Sequence, residues 1–185
     1  MDNYRININY AKALQILAED CGKEQTIAED MRFVGKVCRE NRELNVVFNN
    51  PVIKETKKVG IVEELFGKDV CEETMAFLRF VVKKKRTVSL KGISEAYLEL
   101  YREKHGIVLS HLTTAIEASE ETKTAVSEIV KKYTGREVEL DTKVDKKIIG
   151  GMVVEFNNNM YDGSISTMLA DMRREFKKNL YESEL

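Results

Sequence analysis

Ile148-Ile149-Gly150-Gly151-Met152-Val153-Val154-Glu155-Phe156, then Asn157-Asn158-Asn159, then Tyr161-Asp162-Gly163-Ser164-Ile165, is the stretch that decides the fold. Its hydrophobic pattern changes period partway along. Met152, Val154 and Phe156 alternate, so they face one way along a strand. The glycine pair before them predicts a sharp bend and not a phosphate-cradling loop, because neither G-x-x-x-x-G-K-[ST] nor G-x-G-x-x-G is present. The asparagines after them predict a turn, since asparagine tolerates positive φ. Beyond Gly163, the residues Ile165, Met168, Leu169, Met172, Phe176 and Leu180 recur every three or four positions. That is the stripe of an amphipathic helix.

Upstream, Glu137-Val138-Glu139-Leu140-Asp141 alternates strictly, the mark of a half-buried strand. The segment before it reads as a helix with Ala125, Ile129, Val130 and Tyr133 on one face and Gly135 as its stop. Val108 to Ala118, rich in threonine and aliphatic residues, predicts another strand. Residues 107–185 therefore form a small α/β domain.

Residues 1–105 keep the helical period almost throughout. Tyr10, Leu14 and Leu17 make one stripe. Ile27, Met31, Val34 and Cys38 make a second, Met75, Leu78, Val81 and Val82 a third, and Ile93, Tyr97, Leu100 and Tyr101 a fourth. Shorter helices are predicted over about 42–49 and 54–66, separated at Asn50-Pro51 because proline disfavours helix in the residue before it. Gly22, Gly67 and Gly106 each follow a periodic segment and are expected to close it in the left-handed conformation. The fold class is mainly α: an N-terminal six-helix bundle followed by the small α/β domain.

Composition narrows the function. The 185 residues are 43% hydrophobic and 33% charged, which fits a helix-rich protein with a solvated surface. Thirty basic residues balance 31 acidic ones for a net charge of −1, so no basic excess points to nucleic acid. Cys21, Cys38 and Cys71 are odd in number with no C-x-x-C spacing, which argues against a disulfide framework and a metal site. The start of the chain lacks the basic and apolar run of a secretion signal, and no apolar stretch approaches the roughly 20 residues that span a bilayer. Any membrane association is expected to be indirect.

No arrangement of residues reads as catalytic. His105 falls at a helix end and His111 in a strand, neither beside a nucleophile motif. Lys83-Lys84-Lys85-Arg86 suits a helix C-terminus, where positive charge complements the dipole. Asp162-Gly163 lacks the further acidic ligands of a metal loop and reads as a turn. Glu63-Glu64 and Glu72-Glu73 read as solvated faces or first-turn charges. No catalytic residue, metal ligand or cofactor is assigned.

Several phrases, in order along the whole chain, carry a family resemblance. Tyr10-Ala11-Lys12-Ala13-Leu14 is close to an opening Y-A-x-A-L. Phe48-Asn49-Asn50-Pro51-Val52-Ile53, with Lys57 or Lys58 after it, and Thr74-Met75-Ala76-Phe77-Leu78 before Lys85-Arg86 continue the pattern. In the second half come Thr113-Thr114-Ala115, then Val144-Asp145 with Ile148-Ile149-Gly150-Gly151-Met152, then Asp162-Gly163-Ser164-Ile165 with Leu169 and Arg173-Arg174. The chain resembles the delta subunit of bacterial F-type ATP synthases, which is similar to the mitochondrial oligomycin-sensitivity-conferring subunit. Tyr161 stands where the family often has an aliphatic residue, Met172 where it often has leucine, and no family meaning is assigned to the acidic tail Glu182-Ser183-Glu184.

The resemblance implies a non-catalytic stator subunit, present once per complex, with no cofactor. Residues 1–105 would bind the N-terminal segment of the alpha subunit in a groove between the first and fifth helices, at Tyr10, Ala13, Leu14, Leu78, Val81 and Val82. Each of these is either bundle core or groove wall, and periodicity does not separate the two. Residues 107–185 would meet the b subunits of the peripheral stalk, with Ile165, Met168, Leu169, Met172 and Phe176 as the expected contacts. That last stripe is longer than a small domain needs for its own core, and its methionines suit an adaptable surface. The protein would lie at the cytoplasmic face of the bacterial cell membrane, linking ion transport to ATP synthesis without touching lipid or nucleic acid. A generic helical adaptor that binds an amphipathic helix is the alternative, and the second-half phrases speak against it.

Overall fold

A computed structural model describes residues 2–179. The chain divides into two compact units, Met1–Lys104 and His105–Leu185. In the first lie helices α1 (Asp2–Cys21), α2 (Glu24–Glu40), α3 (Arg42–Asn49), α4 (Glu55–Phe66), α5 (Glu72–Lys83) and α6 (Leu90–His105), with a single 3-10 turn at Thr87–Ser89.

The stripes of these helices meet in one core. Leu14, Ile27, Met31, Val34, Phe66, Leu78, Leu90 and Ile93 are wholly buried. Burying one such side chain is worth about 1.5–3 kcal/mol. Three polar side chains in this unit have specific reasons to be inside. The Lys58 ammonium donates to the Phe48 carbonyl at 2.7 Å, and the Thr87 hydroxyl donates to the same oxygen at 3.1 Å. Together they satisfy a carbonyl in the last turn of α3 and tie it to α4 and the 3-10 turn. Asp30 of α2 accepts from the Cys71 amide at 2.9 Å, at the start of α5.

Helix ends follow the sequence with one exception. Gly22 and Gly106 are left-handed, but Gly67 keeps a right-handed φ of −62°. Its amide still bonds the Glu63 carbonyl at 2.9 Å, so α4 runs out in its own hydrogen-bond pattern and needs no reversal. The left-handed residue comes after α5 instead, at Lys85, with φ 59°. Arg86 N bonds Val81 O and Lys85 N bonds Val82 O, the paired closure that usually places glycine where Lys85 stands.

The second unit contains β1 (Ile107–Thr114), α7 (Glu120–Thr134), β2 (Glu137–Val144), β3 (Met152–Phe156), β4 (Asn159–Asp162) and α8 (Ile165–Asn179). The sheet order is β2-β1-β3-β4. β1 and β2 are parallel, joined across α7, while β3 is antiparallel to both β1 and β4. Val108, Leu112, Val154 and Phe156 pack with Val126 and Val130 of α7.

Three expectations are corrected here. The first strand ends at Thr114, not Ala118. The buried face of α7 is Val126 and Val130, whereas Ala125, Ile129 and Tyr133 are exposed. Of Tyr161-Asp162-Gly163-Ser164, expected to lead into the last helix, only Gly163-Ser164 make that link; Tyr161 and Asp162, with Asn159 from the expected turn, belong to the edge strand β4. Asn157 and Asn158, with φ 47° and 63°, turn the chain tightly enough for Asn159–Asp162 to pair with β3. Gly151, at φ 78°, makes the expected bend, and a Cβ there would collide with the Gly163 carbonyl.

Candidate partner-binding surfaces

The α1–α5 seam divides the first set of expected contacts. Leu14, Leu78, Val81 and Val82 are core, at 0–1% exposure. They fix the spacing of the helices and do not present themselves to a partner, because each points along the centre of its helix's buried stripe. Tyr10 is half-buried and Ala13 is exposed. Tyr10 reaches Phe80 of α5, with ring centroids 6.1 Å apart. Leu17, one turn after Ala13, and Phe80 are both exposed, and the Lys84 ammonium sits 5.5 Å from the Phe80 ring centre. The open part of the seam is the Tyr10–Phe80 contact, with Ala13 and Leu17 exposed on the Tyr10 side of α1. Sequence reading missed Phe80. The available signal was an aromatic two positions from Leu78, off the buried stripe and so without a place in the core.

The second set stays together. Ile165, Met168, Leu169, Met172 and Phe176 all lie on α8 and all are exposed, Phe176 at 71%. Leu180 lies outside the described residues. The helix is held at its start. Ser164 N donates to Asp162 at 2.8 Å, the Thr167 hydroxyl donates to the other Asp162 oxygen at 2.7 Å, and Thr167 N bonds the Ser164 hydroxyl at 3.3 Å. The Thr167 and Ser164 hydrogen bonds pull the Asp162 carboxyl below its ordinary range. Ile165 also rests against Gly150, where a Cβ would come within 2.7 Å of it.

A third surface was not foreseen. Ile129 and Tyr133 of α7, Met152 and Phe156 of β3, and Tyr161 of β4 line a cavity of about 280 Å³ with almost no polar wall. Tyr161 stacks on Phe156 at 5.5 Å, and Tyr133 meets both edge-on at 5.7 and 6.3 Å. Hydrogen bonding to Tyr133 raises the Tyr161 hydroxyl above its usual pKa. The sequence signal was a surplus: α7 carries more apolar positions than one face can bury.

His111 lies 3.2 Å from Asp141 across the β1–β2 ladder, on the exposed side of the sheet. Burial pushes the Cys38 thiol up to about 11. Among the described residues, no group of three His, Cys, Asp or Glu side chains is placed to hold a metal ion, and no helix is long and apolar enough to cross a membrane. What these surfaces offer is apolar contact area.

Comparison with known proteins gives that contact area a context. The family model described as "ATP synthase delta (OSCP) subunit" matches residues 6–176. The ATP synthase subunit delta of Chlorobium phaeovibrioides is 34% identical over 166 residues, covering 90% of this chain and 92% of that protein. That of Salinibacter ruber is 32% identical over 178 residues, covering 96% and 94%. Among solved structures, a chain of the Toxoplasma gondii mitochondrial ATP synthase hexamer matches with a TM-score of 0.68 over 97% of this chain and 98% of that one. At 15% identity that likeness speaks to fold alone. With a family model spanning nearly all of its length and relatives a third identical from end to end, the chain belongs to the ATP synthase delta (OSCP) subunit family.

Proposed function

We propose that this protein ties the catalytic head of a bacterial F-type ATP synthase to the peripheral stalk. The family is a structural component of that complex, not a catalytic one. In this reading the six helices of residues 1–105 act as a bundle that receives the N-terminal segment of the alpha subunit. Residues 107–185 meet the b subunits of the stalk. One copy per complex, at the cytoplasmic face of the membrane, resists the torque of the turning shaft, so that ion flow drives ATP synthesis. The observation that carries the proposal is that each unit has its own exposed apolar surface, the α1–α5 seam on one and the α8 stripe on the other. A tether needs two independent sites, and helix-in-groove docking uses surfaces of this kind.

Calorimetry with a synthetic peptide from the alpha subunit N-terminus of the same organism tests the head side. One-to-one binding is expected, weakened at least about tenfold by Ala13→Arg, since a bulky charge would fill the seam without disturbing an already exposed position. A folded protein that ignores the peptide overturns the proposal.

A further inference from the structure

Lysine breaks two local rules of helix chemistry at one end of the first unit. The first break is at the start of α4. Lys54 stands at the N-cap without a side-chain cap, and Lys57 follows in the first turn. Serine, threonine, aspartate or asparagine is preferred at that cap, and the helix dipole favours negative charge there. The second break is after α5, where Lys85 holds a φ of 59° in a closure that suits glycine. Where α1, α6 and α7 close left-handed, the residue is Gly22, Gly106 or Gly135. Lys23, also at an N-cap, has its charge matched by Glu73 at 2.6 Å. Departures from local preference are expected where function needs a residue that folding does not.

Contacts bring the two breaks together. Lys85 reaches Glu55 of α4 at 3.2 Å, while Lys58 of α4 and Thr87 share the Phe48 carbonyl of α3. The end of α3, the start of α4 and the segment after α5 therefore adjoin. Lys54, Lys57, Lys83, Lys85 and Arg86 are all exposed there. Among the described residues, Glu55 answers Lys85, and none of the other four has a carboxylate partner. The helix dipole accounts for Lys83, in the last turn of α5, but not for Lys54, Lys57 or Lys85.

Unmatched cations call for negative charge. Beside them Val46, Val52 and Val88 are exposed, Val52 at 84%, so the occupant also brings apolar groups. Single-stranded nucleic acid is held on aromatic platforms, and here the residues beside the cations are valines instead. A polypeptide that mixes carboxylates with aliphatic side chains meets both conditions.

We infer that this basic end of the first unit docks an acidic polypeptide segment carrying aliphatic side chains. Lys84 is left out of the site because its ammonium lies over Phe80 of the α1–α5 seam. The inference does not rest on the head-and-stalk reading, which uses the apolar seam and assigns nothing to these lysines.

Calorimetry of the full chain tests it, with a synthetic peptide of glutamate and leucine as the probe. Binding is expected at about 20 mM salt, weakening about tenfold or more by about 200 mM as the exposed charges are screened. The same peptide with glutamine in place of glutamate should not bind. Lys54→Gln combined with Lys57→Gln is expected to weaken binding at least about fivefold, while Lys131→Gln with Lys132→Gln, in the second unit, leaves it unchanged. Lys54→Asp supplies the missing cap, so the thermal midpoint of the first unit should rise while peptide binding falls. A residue with a structural role alone would not show that opposition. The alpha-subunit peptide that tests the seam should bind all these variants as it binds wild type, so the two readings fail separately. If the Lys54 and Lys57 variants bind the acidic peptide like wild type, or wild type ignores it at low salt, the site is overturned. Tighter binding of a single-stranded RNA of equal charge would overturn the polypeptide as its occupant.

Discussion

Helices α5 and α8 present the same pattern in sequence and opposite fates in structure. Met75, Leu78, Val81 and Val82 recur every three or four residues, and so do Ile165, Met168, Leu169, Met172 and Phe176. The first set is buried; the second is exposed along its whole length. A periodic stripe says that a helix has an apolar face, not what covers it. For α5 the cover is the rest of its own unit. For α8 the second unit supplies little beyond the contact at Gly150, and the stripe is left exposed.

The largest effect that would sharpen this contrast is expected from Leu78→Ala. A fully buried leucine in a core shared by several helices leaves a cavity, and the cost is about 2–5 kcal/mol. Urea unfolding, with the two units followed separately, should show the transition of the first unit shifted and that of the second unchanged. An unshifted first transition would mean that α5 is not part of the core.

Much of the first unit could be read from the chain, because each stripe there finds its partners within the unit. The seam was harder. Leu14 and Val81 carried the strongest periodic signal and turned out to be core, while the solvent-facing wall includes Phe80, which lies off the stripe. Exposed apolar residues of an amphipathic helix flank the buried stripe, so a search for periodicity passes over them. In the second unit, β4 was missed because four residues with no alternation pair only after Asn157 and Asn158 reverse the chain. The aromatic cleft was missed with it, since Tyr161 joins Phe156 only through that pairing.

Thiol chemistry reports the same contrast without mutation. Cys38 lies on the buried stripe of α2, with a thiol pushed up to about 11, while Cys21 is exposed at the end of α1. At pH 8 the raised pKa alone leaves Cys38 about a hundredfold less thiolate than an ordinary cysteine, and burial slows it further. Iodoacetamide should therefore modify Cys21 in the native protein and Cys38 only on unfolding. Equal labelling of the two would break the description of the first unit as a closed core.

Helix α8 lacks such a core, so its N-terminal cap matters more. Asp162 is held below its ordinary range by Thr167 and Ser164. A carboxylate depressed in the folded state contributes stability that is present above its unfolded value, near 3.9, and lost as pH falls through the folded value. The helical signal of the isolated second unit's last helix should thus hold down to about pH 4 and decline below it. A nitroxide or fluorophore on an exposed α8 position follows this locally. Asp162→Ala should show the weaker cap already at neutral pH and lose the acid step.

The smallest expected effect bears most directly on the comparison. Replacing both Met172 and Phe176 with serine should change the stability of the free protein by no more than about 0.5 kcal/mol, because neither side chain leaves a cavity or an unpaired buried group. The same double substitution in a core stripe would remove the fold. Thermal denaturation distinguishes the outcomes: an unchanged midpoint, together with weakened binding to a b-subunit peptide, marks α8 as a surface kept apolar for a partner. A midpoint that falls as far as it does for Leu78→Ala would mean that α8 is packed in solution, and that the two stripes differ less than their exposures indicate.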